Sequence, residues 1–180
     1  MPNAQDILHF WFNELTDKQR FAKDPALDAA MRERFGATLE AAARAELYAW
    51  RIDAPGRLAE VIVLDQFSRN IYRDTPAAFA QDAQALCLAQ EIVALEHDRA
   101  LPPEQRSFAY MPYMHSESRV IHEVSVQLFN QPGLENNHRF ALAHQAIVER
   151  FGRYPHRNAI LGRPSSPHEL DFLMQPGSSF

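Results

Sequence analysis

Between Pro55 and Tyr72 the chain carries apolar side chains that no single surface could hide. Leu58, Val61, Ile62, Val63, Leu64 and Phe67 surround a helix rather than line one face of it. A helix that is apolar all round is buried all round, so other elements must enclose it. The rest of the sequence offers more helix for that purpose. Alanine is abundant, glycine numbers only 6, and the prolines sit mainly where helices would begin or end. No strand-period run of useful length occurs, and no Asn-Gly or Asp-Gly hairpin turn. The expected fold is all-α, with mostly antiparallel neighbours joined by short connections. At 180 residues and 46% apolar composition, residues 1–180 read as one globular domain able to bury a full core.

Capping signals divide the chain. Asn3 is a candidate N-cap for a first helix through Ile7, Leu8 and Trp11. Asp24-Pro25 opens a helix expected to stop near Gly36, after which Leu39, Ala43, Leu47 and Trp50 recur at helical spacing. Thr75-Pro76 precedes a long helix with Phe79, Ala83, Leu86, Gln90 and Val93 on one stripe, and Cys87 reads as a small core residue beside it. After the Leu101-Pro102-Pro103 break a shorter helix carries Phe108 and Tyr110 and is expected to end or kink at Pro112. Ser116 is a candidate cap for a helix bearing Val120, Val124 and Leu128. Phe140, Ala143, Ile147 and Phe151 form a further stripe closed by Gly152. Ser166-Pro167-His168-Glu169 has the spacing of a capping box. Phe10, Trp11 and Phe12 are more aromatic surface than one helix face buries, so a second helix or a symmetric partner must cover them. A homodimer is the expectation.

Several function classes are disfavoured at once. A formal charge of −5 argues against a nucleic-acid or membrane-surface binder. A single cysteine permits no internal disulfide and no cysteine-based zinc site. The N-terminal stretch lacks a basic leader and a long apolar span, so a cytoplasmic protein without a membrane segment is expected. Glycine-rich nucleotide loops and the GxSxG elbow are absent. His122-Glu123 starts like a zincin helix, but Val126 stands where the second histidine would be. No spacing calls for a metal, and no cofactor is expected.

Three polar strings lie in apolar company. In Leu64–Asn70, Asp65 and Arg69 share a helix face, acid first, and directly follow the apolar run. Such charges must be paired to be buried. They are either a structural ion pair or part of a site. In Tyr110–Glu117, His115 stands next but one to Glu117, a usable acid–base pair expected at a helix start. Ser116 as cap and Glu117 as a first-turn charge is the structural alternative. From residue 150 to 163 there are four arginines and no acid, which leaves −9 for the rest. Arginine forks suit carboxylates and phosphates. The chain uses 16 arginines against 2 lysines, so clustering rather than residue identity is the signal.

The strings ILHFWF, FAKDPALDAAMRERF, VLDQFSRNIYRDTPAAFAQDAQAL, LPPEQRSFAYMPYMHSES and ERFGRYPHRNAILGRPSSPHELDFL carry a resemblance. Over nearly its whole length the chain resembles a bacterial helical family known as domain of unknown function 924. The resemblance implies stacked antiparallel helix pairs of tetratricopeptide-like kind, and it brings no activity with it. The family's polar positions fall here on Asp65, Gln66, Arg69, Asn70, His115, Ser116, Glu117, Arg153, His156, Arg157 and Asn158. Ser68 stands where some relatives have proline, and His122 lies outside the pattern.

Two functions compete. The first is an inter-helix site for a small anionic ligand, phosphorylated or carboxylated, acted on by a hydrolase or lyase. Arg69, Asn70, Arg153, His156, Arg157 and Asn158 would bind the ligand, while His115, Glu117 and Asp65 would move protons. The second is a protein–protein interaction module without catalysis. Convergence of the three strings on a cavity would favour the first. An exposed apolar concavity above buried strings would favour the second. Full mutual pairing with no cavity would leave the strings as scaffold.

Overall fold

The computed structural model describes residues 1–179, and these contain helices and no strand. In chain order the α-helices are α1 (Ala4–His9), α2 (Asp17–Phe21), α3 (Pro25–Ala43), α4 (Ala54–Ile62), α5 (Ser68–Ile71), α6 (Asp82–Ala94), α7 (Pro103–His115), α8 (Arg119–Phe129), α9 (Glu135–Phe151) and α10 (Pro167–Leu173). Their starts follow side-chain chemistry. Asn3 and Asp6 close a reciprocal capping box on α1, Asp24 accepts from Ala26 N and Leu27 N at the head of α3, and Ser166 and Glu169 box the start of α10. Gly152 ends α9 in the left-handed region at φ 71°.

Helix α4 is the centre of the molecule. It packs on α1, α6 and α7, and Leu58, Val61, Ile62, Val63, Leu64 and Phe67 are fully buried. Asp53 caps it by accepting from Gly56 N at 2.8 Å. Gly56 is required there, because a Cβ would stand 1.8 Å from the Trp50 carbonyl oxygen. The helix does not end at Ile62. It continues through a π-helical turn, Val63–Phe67, into α5, so residues 54–71 form one helical stretch with a wide turn in the middle. Glu60 is also fully buried on this helix, held by a two-pronged ion pair with Arg51 at 2.7 Å. Helices α6, α7, α8 and α9 then pack each on the next.

Several sequence expectations need correction. Helix α3 runs straight through Gly36, because the burial of Phe35, Thr38, Leu39, Ala41 and Ala42 outweighs the roughly 1 kcal/mol penalty of a mid-helix glycine. Helix α7 likewise runs past Pro112 to His115, so the proline does not end it. Residues 116–118 separate it from α8, so Ser116 does not cap α8, and His115 ends a helix rather than starting one. In α6 the buried residues are Ala85, Leu88, Ala89 and Ile92. Of the expected stripe, Ala83 and Gln90 are exposed, Phe79 and Leu86 are partly exposed and Val93 packs partly buried on the core, while Cys87 is exposed. In α8 the inner positions are His122, Ser125 and Phe129, while Val120 and Val124 are exposed.

A second π-helical turn, Phe10–Glu14, spreads the three aromatics over different partners. Phe10 packs on Phe35 and Phe67, Trp11 on Phe67 and Phe108, and Phe12 on Phe108. The chain covers these rings itself, so they supply no ground for a homodimer. Among the described residues no helix is long and apolar enough to cross a membrane.

Candidate functional site

The wide turn at Val63–Phe67 places Asp65 inward, 1% exposed. Its Oδ1 accepts from His115 Nδ1 at 2.7 Å and lies 3.0 Å from Arg69 Nη1, and its Oδ2 accepts from Gln66 Nε2 at 2.7 Å. Burial alone would raise this carboxyl, but Arg69, His115 and Gln66 outweigh it and hold it well below the usual carboxylate range. His115 moves the other way. Burial and the nearby Arg69 lower it, against the pull of Asp65. At neutral pH the pair is therefore a carboxylate and a neutral imidazole. The Nδ1–H donates to Asp65, and the lone pair sits on Nε2. That nitrogen has no hydrogen-bond partner among the described residues.

Arg69 also grips Asp82 with both terminal nitrogens, at 2.8 and 3.0 Å. The third string reaches the same carboxylate through Arg157 Nη1 at 3.1 Å, while Arg157 Nη2 donates to the His115 carbonyl at 2.9 Å. The Arg157 guanidinium lies over the rings of Phe79 and Tyr154, 4.5 and 4.8 Å from their centroids. Burial and then Arg69 push it down from its ordinary value, whereas Asp65 and Asp82 outweigh burial at Arg69 and raise it. Arg157 is 6% exposed, and its Nε has no partner among the described residues.

Glu117 completes the polar cluster. Its carboxylate accepts from Arg163 Nη1 and Nη2 and from Tyr154 N, at 2.7 to 2.9 Å. Burial opposes ionisation, but these donors lower it overall. Tyr154 braces the floor. Its ring packs on His122, His144 and His156, and His122 Nε2 donates to Ser116 O at 2.7 Å.

These groups meet at an open groove of about 400 Å³. Asp82, His115, Ser116, Glu117 and Arg157 line it together with Pro76, Phe79, Ala83, Leu86, Pro112 and Leu161. Phe79, Ala83 and Leu86 of the expected stripe thus line the groove. Of the expected site residues, His115, Glu117 and Arg157 line the groove, and Asp65 and Arg69 stand behind it, bonded to His115 and to Asp82. The others stand apart. Asn70 donates to Asp28, which Arg73 also holds, on the α3 side. Arg153 pairs with Glu169, and Asn158 ties down the 158–165 loop through Ser165 and Arg163. His156 does not line the groove. Arg153, His156 and Asn158 are close to Arg157 in sequence, but successive residues of a turn point in different directions.

Sequence reasoning missed Asp82, the acid that joins the first and third strings. Its position in the first turn of α6 looks like an ordinary dipole-complementing charge. A more open cleft of about 560 Å³ lies beside Arg150, Arg153, Ser166, His168 and Glu169, away from this cluster. No group of three or more metal-ligating side chains occurs among the described residues.

No curated protein is similar to the chain. A solved structure of a protein of unknown function, ATU0120 from Agrobacterium tumefaciens, is 39% identical, covers 95% of this chain and 96% of its own, and superposes with a TM-score of 0.90. The model of a bacterial family of unknown function, DUF924, matches residues 7–177. The chain belongs to that DUF924 family.

Proposed function

We propose that the groove binds a small carboxylated molecule and that Asp65 and His115 act on it as a general base, in a hydrolase or lyase reaction. The observation that carries this reading is the groove-lining imidazole, fixed at Nδ1 by a buried carboxylate and free at Nε2. In a hydrolase His115 Nε2 takes a proton from water; in a lyase it takes one from the substrate. Asp65 holds the tautomer and stabilises the imidazolium that forms. Arg157 supplies the electrostatic hold. A carboxylate is favoured over a phosphate because the arginines already face Asp82 and Glu117.

The apolar wall favours a second reading, a protein-binding groove without catalysis that accepts an apolar side chain of a partner. A thermal-shift screen of carboxylated and phosphorylated metabolites separates the two. A ligand at 100 times its Kd stabilises by about 2.7 kcal/mol. The catalytic reading expects a carboxylated hit, loss of that hit in Arg157→Gln, and turnover lost in His115→Gln with binding kept. If nothing in the screen stabilises the wild type while both variants melt lower, the cluster is scaffold.

A further inference from the structure

The polar side of the groove is balanced rather than positive. Arg69 and Arg157 face Asp65 and Asp82, and Arg163 faces Glu117. A dianion entering here would meet no net positive field, whereas a ligand of zero net charge would leave the balance intact.

The remaining hydrogen-bond capacity has both signs. Asp82 Oδ1 accepts a single bond, from Arg69, and Glu117 Oε2 accepts a single bond, from Arg163. A carboxylate oxygen has room for two, so each retains an acceptor position, and both residues line the groove. The donor side is Arg157, which lines the groove and whose Nη1 and Nη2 donate one bond each, to Asp82 and to the His115 carbonyl, so each keeps a second N–H. The same groove is lined by the apolar Phe79, Ala83, Leu86 and Leu161. The groove's volume, about 400 Å³, is near the small end for ligand sites.

We propose that the groove takes a small zwitterion with an apolar body, of the chemistry of an apolar α-amino acid. Its carboxylate meets Arg157, its ammonium meets Asp82 and Glu117, and its side chain lies on the Phe79–Leu86 wall. This rests on the groove being a small-molecule site, as proposed above, and names the class of its ligand. His115 lines the same groove, so in that pose the imidazole proposed as base shares it with the ligand's head group.

Titration calorimetry tests the idea on the wild-type chain with leucine and phenylalanine, 4-methylpentanoate, which lacks the amine, 3-methylbutylamine, which lacks the carboxylate, and serine, which lacks the apolar body. At least one apolar amino acid is expected to bind tenfold or more tighter than either truncated analogue and serine. Asp82→Asn should narrow the gap between leucine and 4-methylpentanoate. Ala83→Phe, at an exposed position without an ion pair, should block every ligand. Equal binding of leucine and 4-methylpentanoate by the wild type, or binding of carboxylates but of no amino acid, overturns the zwitterion and leaves the groove reading in place. If no carboxylated molecule of any kind binds, the groove reading falls as well.

Discussion

Replacing Asp65 with alanine removes a carboxylate that is 1% exposed and serves three partners. Breaking a buried ion pair from one side costs about 3–5 kcal/mol, because the other charge is left in low dielectric. Arg69 is not left alone here, since Asp82 still holds it with two bonds at 2.8 and 3.0 Å. The loss therefore belongs at the low end, about 3 kcal/mol. For a chain of this size that is about 6–12 °C in melting temperature. Urea unfolding monitored by circular dichroism gives the midpoint and slope, and Asp65→Asn, which keeps an acceptor for His115, should lose less. The shared arginine makes a sharper test. Asp65→Ala combined with Asp82→Asn strands Arg69, so the pair should cost more than the sum of the single variants. An unchanged midpoint in Asp65→Ala would show that the carboxylate is hydrated, and strict additivity would show that Arg69 does not couple the two acids.

Acid should destabilise the protein from about pH 6.5 downward. Burial lowers His115 and His122, takes His144 to about 3 and His156 to about 4, so the unfolded chain binds more protons than the native one in that interval. Stability is then full above the unfolded histidine value and falls as pH drops, by up to about 1.4 kcal/mol per pH unit for each group, with Asp65 adding its loss below about pH 4. Denaturation midpoints that stay flat between pH 7 and 5 would contradict this. Gly56→Ala should cost about 1–3 kcal/mol, because its Cβ cannot coexist with the Trp50 carbonyl; a neutral melting curve would refute the close approach. Cys87 should react with a thiol reagent in the native protein at the rate of an exposed thiol, and protection until unfolding would place it back in the core.

The parts of this structure that were legible in the sequence are those governed by near neighbours. Asn3, Asp24, Ser166 and Gly152 act within a turn of themselves, and each caps as its spacing implies. The enclosed helix was legible too, since an all-round apolar surface admits one environment. The face of α6 was not. Two adjacent stripes there are both apolar, and only the position of α4 and α7 selects Ala85, Leu88 and Ile92 for the core and leaves Phe79 and Leu86 to the groove. In the site, Asp65 with Arg69 could be read from i, i+4 spacing. Asp82 with Arg157 spans 75 residues, and no local pattern encodes it. Arg153 and Arg157 look alike in sequence, yet opposite sides of one turn send them to Glu169 and to the groove.

The wide turn at Val63–Phe67 makes the central helix a phase-shifter. An α-helix advances about 100° per residue, so one additional residue in the turn rotates everything after it by that angle relative to everything before. The half before the turn buries Leu58, Val61 and Ile62, and the half after it carries Arg69 to Asp82 and Asn70 to Asp28. Deleting one residue from this turn would leave a perfectly good helix and an undisturbed first half. It would also swing α5 by about 100° and turn Arg69 away from Asp82. The orientation of Arg69 and Asn70 is thus set by a count of residues at one place, a feature that a single-codon deletion would change.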